Sequence, residues 1–411
     1  MANPRYAPAF LLEINGQPVP ADLRASVASL QYQTGLEGAD RVEISLVNDH
    51  LRWLDHKLLA LDNPLALSVG YSPDPLKKIF IGEIVSQSPT FPASGVPMLS
   101  LAAQDRRQHL QEGTQVRWFA LPVPKYGNVP MPDAAVVSLV AGANKLIPIF
   151  DPISAAISVL VGGVETAVAL KLNDPTLMQA LIRKQASESN MDFLKRISHE
   201  NGWEMVMDYN GPLGGYQMRF LSLAEHLDSI VTLKYGKSLI DFTPRITKVG
   251  DIFSISTKLW ISSTQTEFTA TASYDWDRKT LNFSISPGFG GSKSANAASA
   301  VKKPDMKLAD QPLGPSSAPR YLLSKLLAKL NQRLTGSGST LGDPRIQAGT
   351  VLRLEGLGEQ FGGLYRVTSA THTLDSSGYR TTFEVRKEIW FENIPMPDQG
   401  AVKLVPQLQA S

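Results

Sequence analysis

Apolar and polar positions alternate with a period of two through the first hundred residues, and turn residues separate the alternating runs. In RVEISLVND, Val42, Ile44 and Leu46 fall on one side and the polar residues between them on the other. This is the pattern of a half-buried strand. The segment AFLLEING ends in Asn-Gly, which favours a tight turn. Several short strands at this spacing predict a small β-barrel domain over residues 1–111.

Helical and strand patterns mix between residues 112 and 229. The segment SESNMDFLKRISHENGW predicts a helix that Ser189 caps, with apolar residues at helical spacing from Met191 to Ile197. Gly202 stands where a left-handed residue ends a helix. Two strands joined by an NGPLGG turn follow. This segment is therefore predicted to be a mixed α/β middle domain.

The β pattern returns in residues 230–286 and 340–391, which predict a second β-barrel domain. Residues 287–317 are rich in Gly, Ser, Ala, Lys and Pro, a composition typical of a flexible linker. A helix is predicted for residues 318–334, and residues 392–411 are predicted to be a C-terminal tail. One stripe of that helix carries four leucines: Leu322, Leu326, Leu330 and Leu334.

The predicted fold class is thus α+β, mainly β. It comprises two small β-barrel domains, a mixed α/β middle region and a helical insertion at residues 146–172. The two β blocks are similar in size and strand character, but they share no repeat at the level of residues. A structural duplication is a hypothesis on this basis.

The apolar stretch Pro152–Leu170 lies in the insertion and approaches the ~20 apolar residues that a membrane span requires. Gly162 and Gly163 are expected to break a helix there, and Glu165 in lipid would cost about 2–3 kcal/mol. Membrane contact is therefore not expected. Two alternatives stay open, a buried helical hairpin and a helix covered by another subunit.

Charge and cysteine content narrow the range of functions. Lys and Arg number 40 against 38 Asp and Glu, so the net charge of +2 lacks the basic bias of nucleic-acid binders. Because the net charge is small, copies of the chain repel one another only weakly. Weak repulsion is compatible with a subunit of an assembly. Without cysteine there is no disulfide, thiolate metal site or cysteine nucleophile. The N-terminal apolar run is too short for a secretory signal, so synthesis in the cytoplasm is expected.

Motifs for catalysis, cofactor binding and metal binding are missing from the sequence. The six histidines are His50, His56, His109, His199, His226 and His372. None has the spacing of a metal site, and no G-x-S-x-G elbow occurs. The segment GFGGSKS lacks the spacing of a phosphate-binding loop. We therefore predict no catalytic, cofactor-binding or metal-binding residue, and no cofactor.

The segment Tyr365–Lys387, YRVTSATHTLDSSGYRTTFEVRK, predicts a long β-hairpin whose polar turn ends in Gly378. His372 is expected to face solvent or a neighbouring subunit. Five charged residues are expected on the outer faces of the arms: Arg366, Arg380, Glu384, Arg386 and Glu388. Such a face either contacts neighbours or is solvated, and the pattern leaves both open.

The run GDPRIQAGTVLRLEGLGEQFGGLYRVTSATHTLDSSGYRTTFEVRKE resembles the end of phage late control protein D, the baseplate hub family of contractile tails. The matching positions are Gly342, Pro344, Gly349, Gly356, Gly363, Tyr365, Val367, His372, Gly378, Tyr379, Thr381, Phe383 and Arg386. Weaker matching blocks lie elsewhere between residues 25 and 390, at Asp192, Phe193, Leu194 and Gly202, and at Phe80, Gly82, Phe91 and Pro97. Residues 146–172 depart from the family as an insertion.

The resemblance implies a non-enzymatic structural protein with two similar barrels per subunit. It implies a homotrimer whose six barrels join a sixfold tail tube to a threefold spike. Since no needle-forming β-helix follows the hub portion, unlike in VgrG-like spike proteins, the spike protein is expected to be a separate chain. The implied partners are the spike protein, the tail tube protein and other baseplate or LysM-type hub components. Assembly into the baseplate of a virion or injection particle is expected.

Two other functions remain as alternatives at this point. One is a tail-tip enzyme, either a cell-wall hydrolase or a protease. The other is a membrane-active tip protein that uses Pro152–Leu170.

Overall fold

The computed structural model describes residues 7–172, 178–179, 181–222, 226, 228–247, 254–261, 266–275, 280–287, 305–307, 318–389 and 391. Strands dominate these residues, and helices are few. The predicted class, α+β and mainly β, is confirmed.

The N-terminal block contains seven strands: β1 (Ala7–Ile14), β2 (Gln17–Pro18), β3 (Val27–Gly35), β4 (Arg41–Val47), β5 (Pro64–Ser72), β6 (Lys77–Thr90) and β7 (Met98–Gln104). The middle unit contributes β8 (Gln115–Val123), β9 (Gly127–Pro130), β10 (Ile147–Phe150), β11 (Arg183–Glu188), β12 (Trp203–Asp208) and β13 (Gln217–Ser222). The C-terminal block contributes β14 (Val231–Lys234), β15 (Leu239–Ile246), β16 (Ser254–Ile261), β17 (Thr266–Asp275), β18 (Thr280–Pro287), β19 (Asp305–Lys307), β20 (Leu334–Leu341), β21 (Val351–Glu355), β22 (Gly363–Asp375) and β23 (Gly378–Arg386).

The helices are α1 (Ala21–Ala25), α2 (Asp133–Ala143), α3 (Pro152–Leu172), α4 (Asn190–Asn201), α5 (Ala318–Leu330) and α6 (Gly358–Phe361). Three short 3-10 helices cover Asp49–Leu51, Lys57–Leu59 and Arg106–Gln111.

The two β blocks share one sheet of thirteen strands. Its order is β15-β20-β23-β22-β3-β4-β7-β6-β5-β1-β2, with β21 and β14 branching from β22. The blocks meet where β22 pairs antiparallel with β3, from Ser369 opposite Gly35 to Leu374 opposite Leu30. Because β22 has 13 residues, its first part also pairs with β21. One long strand therefore belongs to both blocks.

Neither block closes into a separate barrel among the described residues. In the C-terminal block, Tyr235, which follows β14, forms an isolated β-bridge with Leu239, the first residue of β15. The core of this block includes the buried residues Leu352, Tyr365 and Val385. The edge of β22 beyond β21 pairs with β3 of the other block, so the sheet continues there instead of closing.

The described residues also form three smaller sheets. The middle unit holds β10-β13-β12 and β11-β8-β9, and the C-terminal block holds β18-β17-β16-β19. Helix α4 packs against β12 and α2, while α5 packs against α4 and against β16 and β17. The main hydrophobic core runs from the N-terminal block into the middle unit, with Phe80, Phe193 and Phe220 among its buried residues.

Helix α4 begins and ends at the predicted residues. The Ser189 side chain accepts a hydrogen bond from the Asp192 backbone N–H at 3.0 Å, and Gly202 has φ +68°. The N-terminal cap satisfies one free N–H group of the helix, and glycine adopts the left-handed conformation at little cost. Met191 and Ile197 are buried on the apolar face.

Helix α3 departs from the prediction because it continues through Gly162 and Gly163 without a break. Its inner side packs on α2 and β9. A Cβ added at Gly162 would lie 3.8 Å from the Pro132 Cα, so a small residue suits this contact. The cost of about 1 kcal/mol for each glycine in a helix is modest beside such packing. Of the two predicted alternatives, the helical hairpin is therefore wrong, and the stretch is one continuous helix.

The helix predicted for residues 318–334 ends at Leu330, and Leu334 instead begins β20. Leu322 and Leu326 are buried, as the stripe of leucines indicates. Of the predicted linker 287–317, residue 287 ends β18 and residues 305–307 form β19, while the rest lies outside the described residues. The tail 392–411 also lies outside them.

Candidate functional site and assembly surface

The histidines do not converge on a reactive centre. His50 and His199 are exposed, and His56 accepts a hydrogen bond from the backbone N–H of Leu58 at 3.3 Å. Two others pair with carboxylates: His109 with Glu83 and Glu112, and His226 with Asp151. No group of three or more His, Asp or Glu residues in the described part of the chain is arranged to hold a metal ion.

His372 is buried, with 2% of its surface exposed, so the predicted solvent-facing position is wrong. Its Nε2 lies 2.8 Å from the carbonyl oxygen of Ile346, which can only accept a hydrogen bond. Nε2 therefore carries the proton, and Nδ1 accepts a hydrogen bond from the Tyr379 hydroxyl at 2.8 Å. The Tyr32 ring of β3 stacks on the imidazole at 5.6 Å. His372 thus helps to join the two β blocks.

Burial lowers the pKa of His372 to about 4, from a usual value near 6.5. The unfolded chain therefore binds a proton at this residue more tightly than the folded chain does. The stabilisation from neutral His372 is complete above pH 6.5 and is lost as the pH falls towards 4. We expect this residue to lower the free energy of unfolding by about 2 kcal/mol between pH 7.5 and pH 5.

The measurement is urea denaturation at both pH values, for the wild type and for His372→Gln. Glutamine keeps an N–H donor but has no proton to gain in this range. The pH-dependent loss should be about 2 kcal/mol smaller in the variant. Equal losses in both proteins would show that His372 does not carry this pH dependence.

The charges predicted on the outer faces of the hairpin divide into two groups. Arg380 and Glu384 are exposed, as predicted. Arg366 and Glu388 have no exposed surface, so their predicted outer position is wrong, and Arg386 is mostly buried. Arg366, Arg386 and Glu388 thus lie against other parts of the chain, whereas Arg380 and Glu384 reach solvent.

Arg366 forms the centre of a buried network. Its Nε lies 2.8 Å from Glu388 Oε1, and its other nitrogens donate to the carbonyl oxygens of Gly349 at 3.0 Å and His226 at 2.9 Å. Arg386 contacts the same Glu388 oxygen at 3.0 Å and Glu204 of β12 at 2.6 Å. The network therefore fastens the hairpin to the middle unit.

A second buried network surrounds Arg107, at the junction of the N-terminal block and the middle unit. Its guanidinium contacts Asp40 and Asp105, each at 2.7 Å, and donates to the carbonyl oxygen of Met205 at 3.3 Å. Tyr209 of the middle unit donates its hydroxyl proton to Asp40 at 2.8 Å. Four charged or polar side chains from both units are thus held together away from water.

Burial sets the protonation of this second network. Burial by itself would lower the pKa of Arg107, but Asp105 and Asp40 raise it well above its usual value, so the guanidinium stays charged. Burial raises the pKa of Asp40, and Arg107 only partly offsets this. In each of the two buried networks, the charged side chains pair with partners of the same network. They therefore serve to hold the units in a fixed arrangement.

The outer face of β15, β20, β23 and β22 carries a shallow polar groove of ≈390 Å³. Its lining is Asp241, Ser337, Gly338, Ser339, Ser369, Thr371, Arg380, Thr382, Phe383 and Glu384. Within it, Ser369 donates a hydrogen bond to Glu384 at 3.0 Å. Short hydroxyl side chains with one cation and two carboxylates suit polar contact with another protein surface.

Large apolar side chains are exposed on all three units, including Leu51, Leu61, Phe91 and Val96 on the N-terminal block. On the middle unit they include Val116, Trp118, Leu121, Tyr126, Val159, Leu160 and Val164. On the C-terminal block they include Ile230, Tyr235, Ile240, Ile246 and Leu341. Contiguous exposed apolar side chains mark surfaces that a partner covers, whereas singly scattered ones are normal in soluble proteins. No helix in the described ranges has the length and apolarity to cross a membrane.

Solved structures with the same architecture define the class of this fold. The tail protein from Neisseria meningitidis MC58 is similar, with a TM-score of 0.59 and 9% identity, over 94% of this chain and 98% of that one. The 43 kDa tail protein of prophage MuSo2 from Shewanella oneidensis is similar with a TM-score of 0.59 and 8% identity, over 94% and 100%. The chain therefore has the fold of these tail proteins.

A secretion component shares the fold as well. The E. coli c3393 protein, a component of the type VI secretion system, is similar with a TM-score of 0.55 and 11% identity, over 92% of this chain and 78% of that one. The resemblance to the baseplate hub family is confirmed at the level of the fold. The family model described as the Alg8 N-terminal domain matches residues 174–376. Curated protein sequences give no match.

The sequence motifs contained no sign of the buried networks. Asp105 and Arg107 lie two residues apart after a strand, which is unremarkable in any chain, and Asp40 is distant in sequence. Only the folding of β4 against β7 brings Asp40 to them.

Proposed function

We propose that the chain is the structural hub of the baseplate in a contractile phage tail or a contractile injection system. In this proposal, three copies form a homotrimer that joins the sixfold tail tube to the threefold spike. The observation that carries it is the pairing of β3 with β22, which sets two β blocks side by side in one sheet. Three chains with two blocks each supply six positions around a ring.

The buried networks support this role because a symmetry adaptor must hold its two blocks at a constant relative angle. The Arg107 network joins the N-terminal block to the middle unit, and the Arg366 network joins the C-terminal block to the same unit. Breaking a buried ion pair is strongly unfavourable, so each junction has one preferred geometry. The two blocks are therefore positioned through a shared middle unit as well as through the sheet.

The exposed surfaces support the partners that such a hub needs. We propose that the spike protein, the tail tube protein and other baseplate or LysM-type components bind to the polar groove and the exposed apolar residues. The hub would be made in the bacterial cytoplasm and assembled into the particle there. The proposed role is mechanical: the hub connects a sixfold tube to a threefold spike, and this connection requires no catalytic group.

The experiment is sedimentation velocity of the purified full chain at micromolar concentration, with electron-microscopy class averages of the same sample. We expect a species of three times the chain mass, seen as a threefold ring with six β modules. Coexpression with the tail tube and spike proteins of the same gene cluster should retain all three in one complex. A well-behaved monomer under both conditions would contradict the proposed function.

A further inference from the structure

Helix α3 exposes apolar side chains between Ala156 and Leu170. Leu160 is 68% exposed, and Val159 and Val164 are exposed on the same side. Among the described side chains of this helix, Lys171 near the C-terminal end is the only exposed charged group. An isolated surface helix normally carries charged or polar residues on its outer side. The outer side of α3 therefore has the composition of a covered surface.

The exposed residues follow the spacing of a coiled-coil seam. Five of them recur in steps of four, three, four and three: Ala156, Leu160, Gly163, Ala167 and Leu170. This is the heptad period of 3.5 residues, at which side chains of one helix fit between those of a neighbouring helix. Glycine and alanine in the seam allow the two helix backbones to approach closely. We call these five residues the α3 seam.

The opposite side of α3 already packs within its own chain. Ser158 is buried, and Ala155, Gly162 and Thr166 are half-buried towards α2 and β9. The helix is therefore held in place on one side, and the orientation of the seam is set by the fold. Among the described residues, the outward apolar strip packs against no other element.

We propose that the α3 seam is the contact through which copies of this chain meet, α3 against α3 of the neighbouring copies. Identical faces brought together double any charge that they carry, so a self-contact favours a face without charge. The described side chains of the seam meet this condition. A charged partner would find no complementary group on the strip, whereas a second copy presents the same apolar surface at the same spacing.

The size of the strip also favours a copy of the whole chain over a small helical ligand. A helix of 21 residues is about 31 Å long, and a strip about 10 Å wide covers about 300 Å². A stable interface buries about 800 Å² on each partner. The seam therefore supplies one part of an interface, and a large partner with further contact surface is needed for the rest.

This inference rests on the proposed homotrimer, which it extends by naming the contact. Around a threefold axis the three α3 helices would run parallel, each touching both neighbours. The axis would then pass along the seam, and the two β blocks of each chain would lie around it.

The test uses the full-length protein with one introduced thiol, since the natural sequence has no cysteine. Leu160→Cys is oxidised with copper phenanthroline, and the products are separated on a non-reducing gel. In a trimer, three thiols around the axis can form one disulfide and leave one thiol unpaired. We therefore expect a covalent dimer band that contains at most two-thirds of the chains. Leu341→Cys, at a leucine 64% exposed on the C-terminal block, is the matched control and should remain monomeric on the gel.

The outcomes separate this inference from the proposed function. A trimer in sedimentation without cross-linking at residue 160 would overturn the seam contact and leave the hub proposal intact. Nearly complete cross-linking, with a dimer in sedimentation, would retain the seam contact and overturn the trimer. A monomer without cross-linking would overturn both.

A charge on the seam gives an independent readout. Leu160→Glu should weaken self-association at least tenfold, because the contact would bury a carboxylate in each copy, whereas Leu341→Glu should leave it unchanged. Flotation with phosphatidylcholine and phosphatidylglycerol vesicles tests a lipid surface as the occupant. Flotation that Leu160→Glu abolishes, together with no cross-linking at residue 160, would overturn the proposal in favour of that surface.

Discussion

Replacing Arg107 with methionine is expected to lower the free energy of unfolding by about 3–5 kcal/mol. Arg107 is almost fully buried between Asp40 and Asp105, both also buried. Without the guanidinium, two carboxylates remain close together away from water. Burial already raises the pKa of Asp40, so one carboxylate would take up a proton and limit the loss. Denaturation with guanidinium chloride at pH 7 measures the difference.

The matched control is Arg345→Met. Arg345 also pairs with an aspartate two residues away, Asp343 at 2.6 Å, but its side chain is more than half exposed. Exposed pairs of this kind contribute about 0–1 kcal/mol. Adding Asp40→Asn to Arg107→Met should restore part of the loss, because it removes one of the two unpaired charges. Similar losses for Arg107→Met and Arg345→Met would contradict the assigned role of the buried network.

Replacing Glu388 with leucine is expected to cost about 3–5 kcal/mol as well. Glu388 accepts hydrogen bonds from both Arg366 and Arg386, and neither Glu388 nor Arg366 has exposed surface. The substitution would leave the Arg366 guanidinium in the interior with backbone carbonyls as its described partners. The affected contacts join the hairpin to β12, so hydrogen exchange should also speed up in the arms of the hairpin.

Glu384→Leu is the control on the same hairpin. Glu384 lies on β23, four residues before Glu388, which follows the strand. Alternation predicts the same side for both, but Glu384 is exposed and contacts Ser369. We expect a change within about 0.5 kcal/mol, as for most surface substitutions. If both leucine variants lose similar stability, or if hydrogen exchange in the hairpin is unchanged in Glu388→Leu, the Arg366 network does not hold the hairpin to the middle unit.

These two glutamates show where strand patterns stop being informative. Alternation predicts that Glu384 and Glu388 lie on the same side of a strand, and the local pattern contains nothing that separates them. The difference arises because the last residues of the hairpin arm, from Arg386 on, pass against β12, whereas Glu384 two residues earlier faces solvent. A residue of the middle unit, Glu204, and a residue of the hairpin, Arg386, meet across 182 positions of sequence. A sequence pattern that spans about ten residues cannot predict a contact between residues so far apart in the chain.

The burial of His372 differs from the prediction for a related reason. Its threonine neighbours at 371 and 373 suggest a polar strand, yet β22 lies between β3 and β23, and residue 372 points towards Tyr32 and Tyr379. Helix α3 also differs from the prediction, because it is continuous where a break is expected. Paired glycines predict a break from intrinsic propensity, but packing on α2 and β9 keeps the helix continuous.

The sequence by itself determined the features that neighbouring residues decide. These are the capped helix α4, the hairpin of β22 and β23 with its glycine turn, and the mainly β class. Each depends on interactions within a few residues, such as a capping hydrogen bond or the pleat of a strand. Only the tertiary structure decided that two β blocks share one sheet, which charges are buried, and which side of α3 stays exposed. Those outcomes depend on contacts between distant segments, and they arise only when the whole chain has folded.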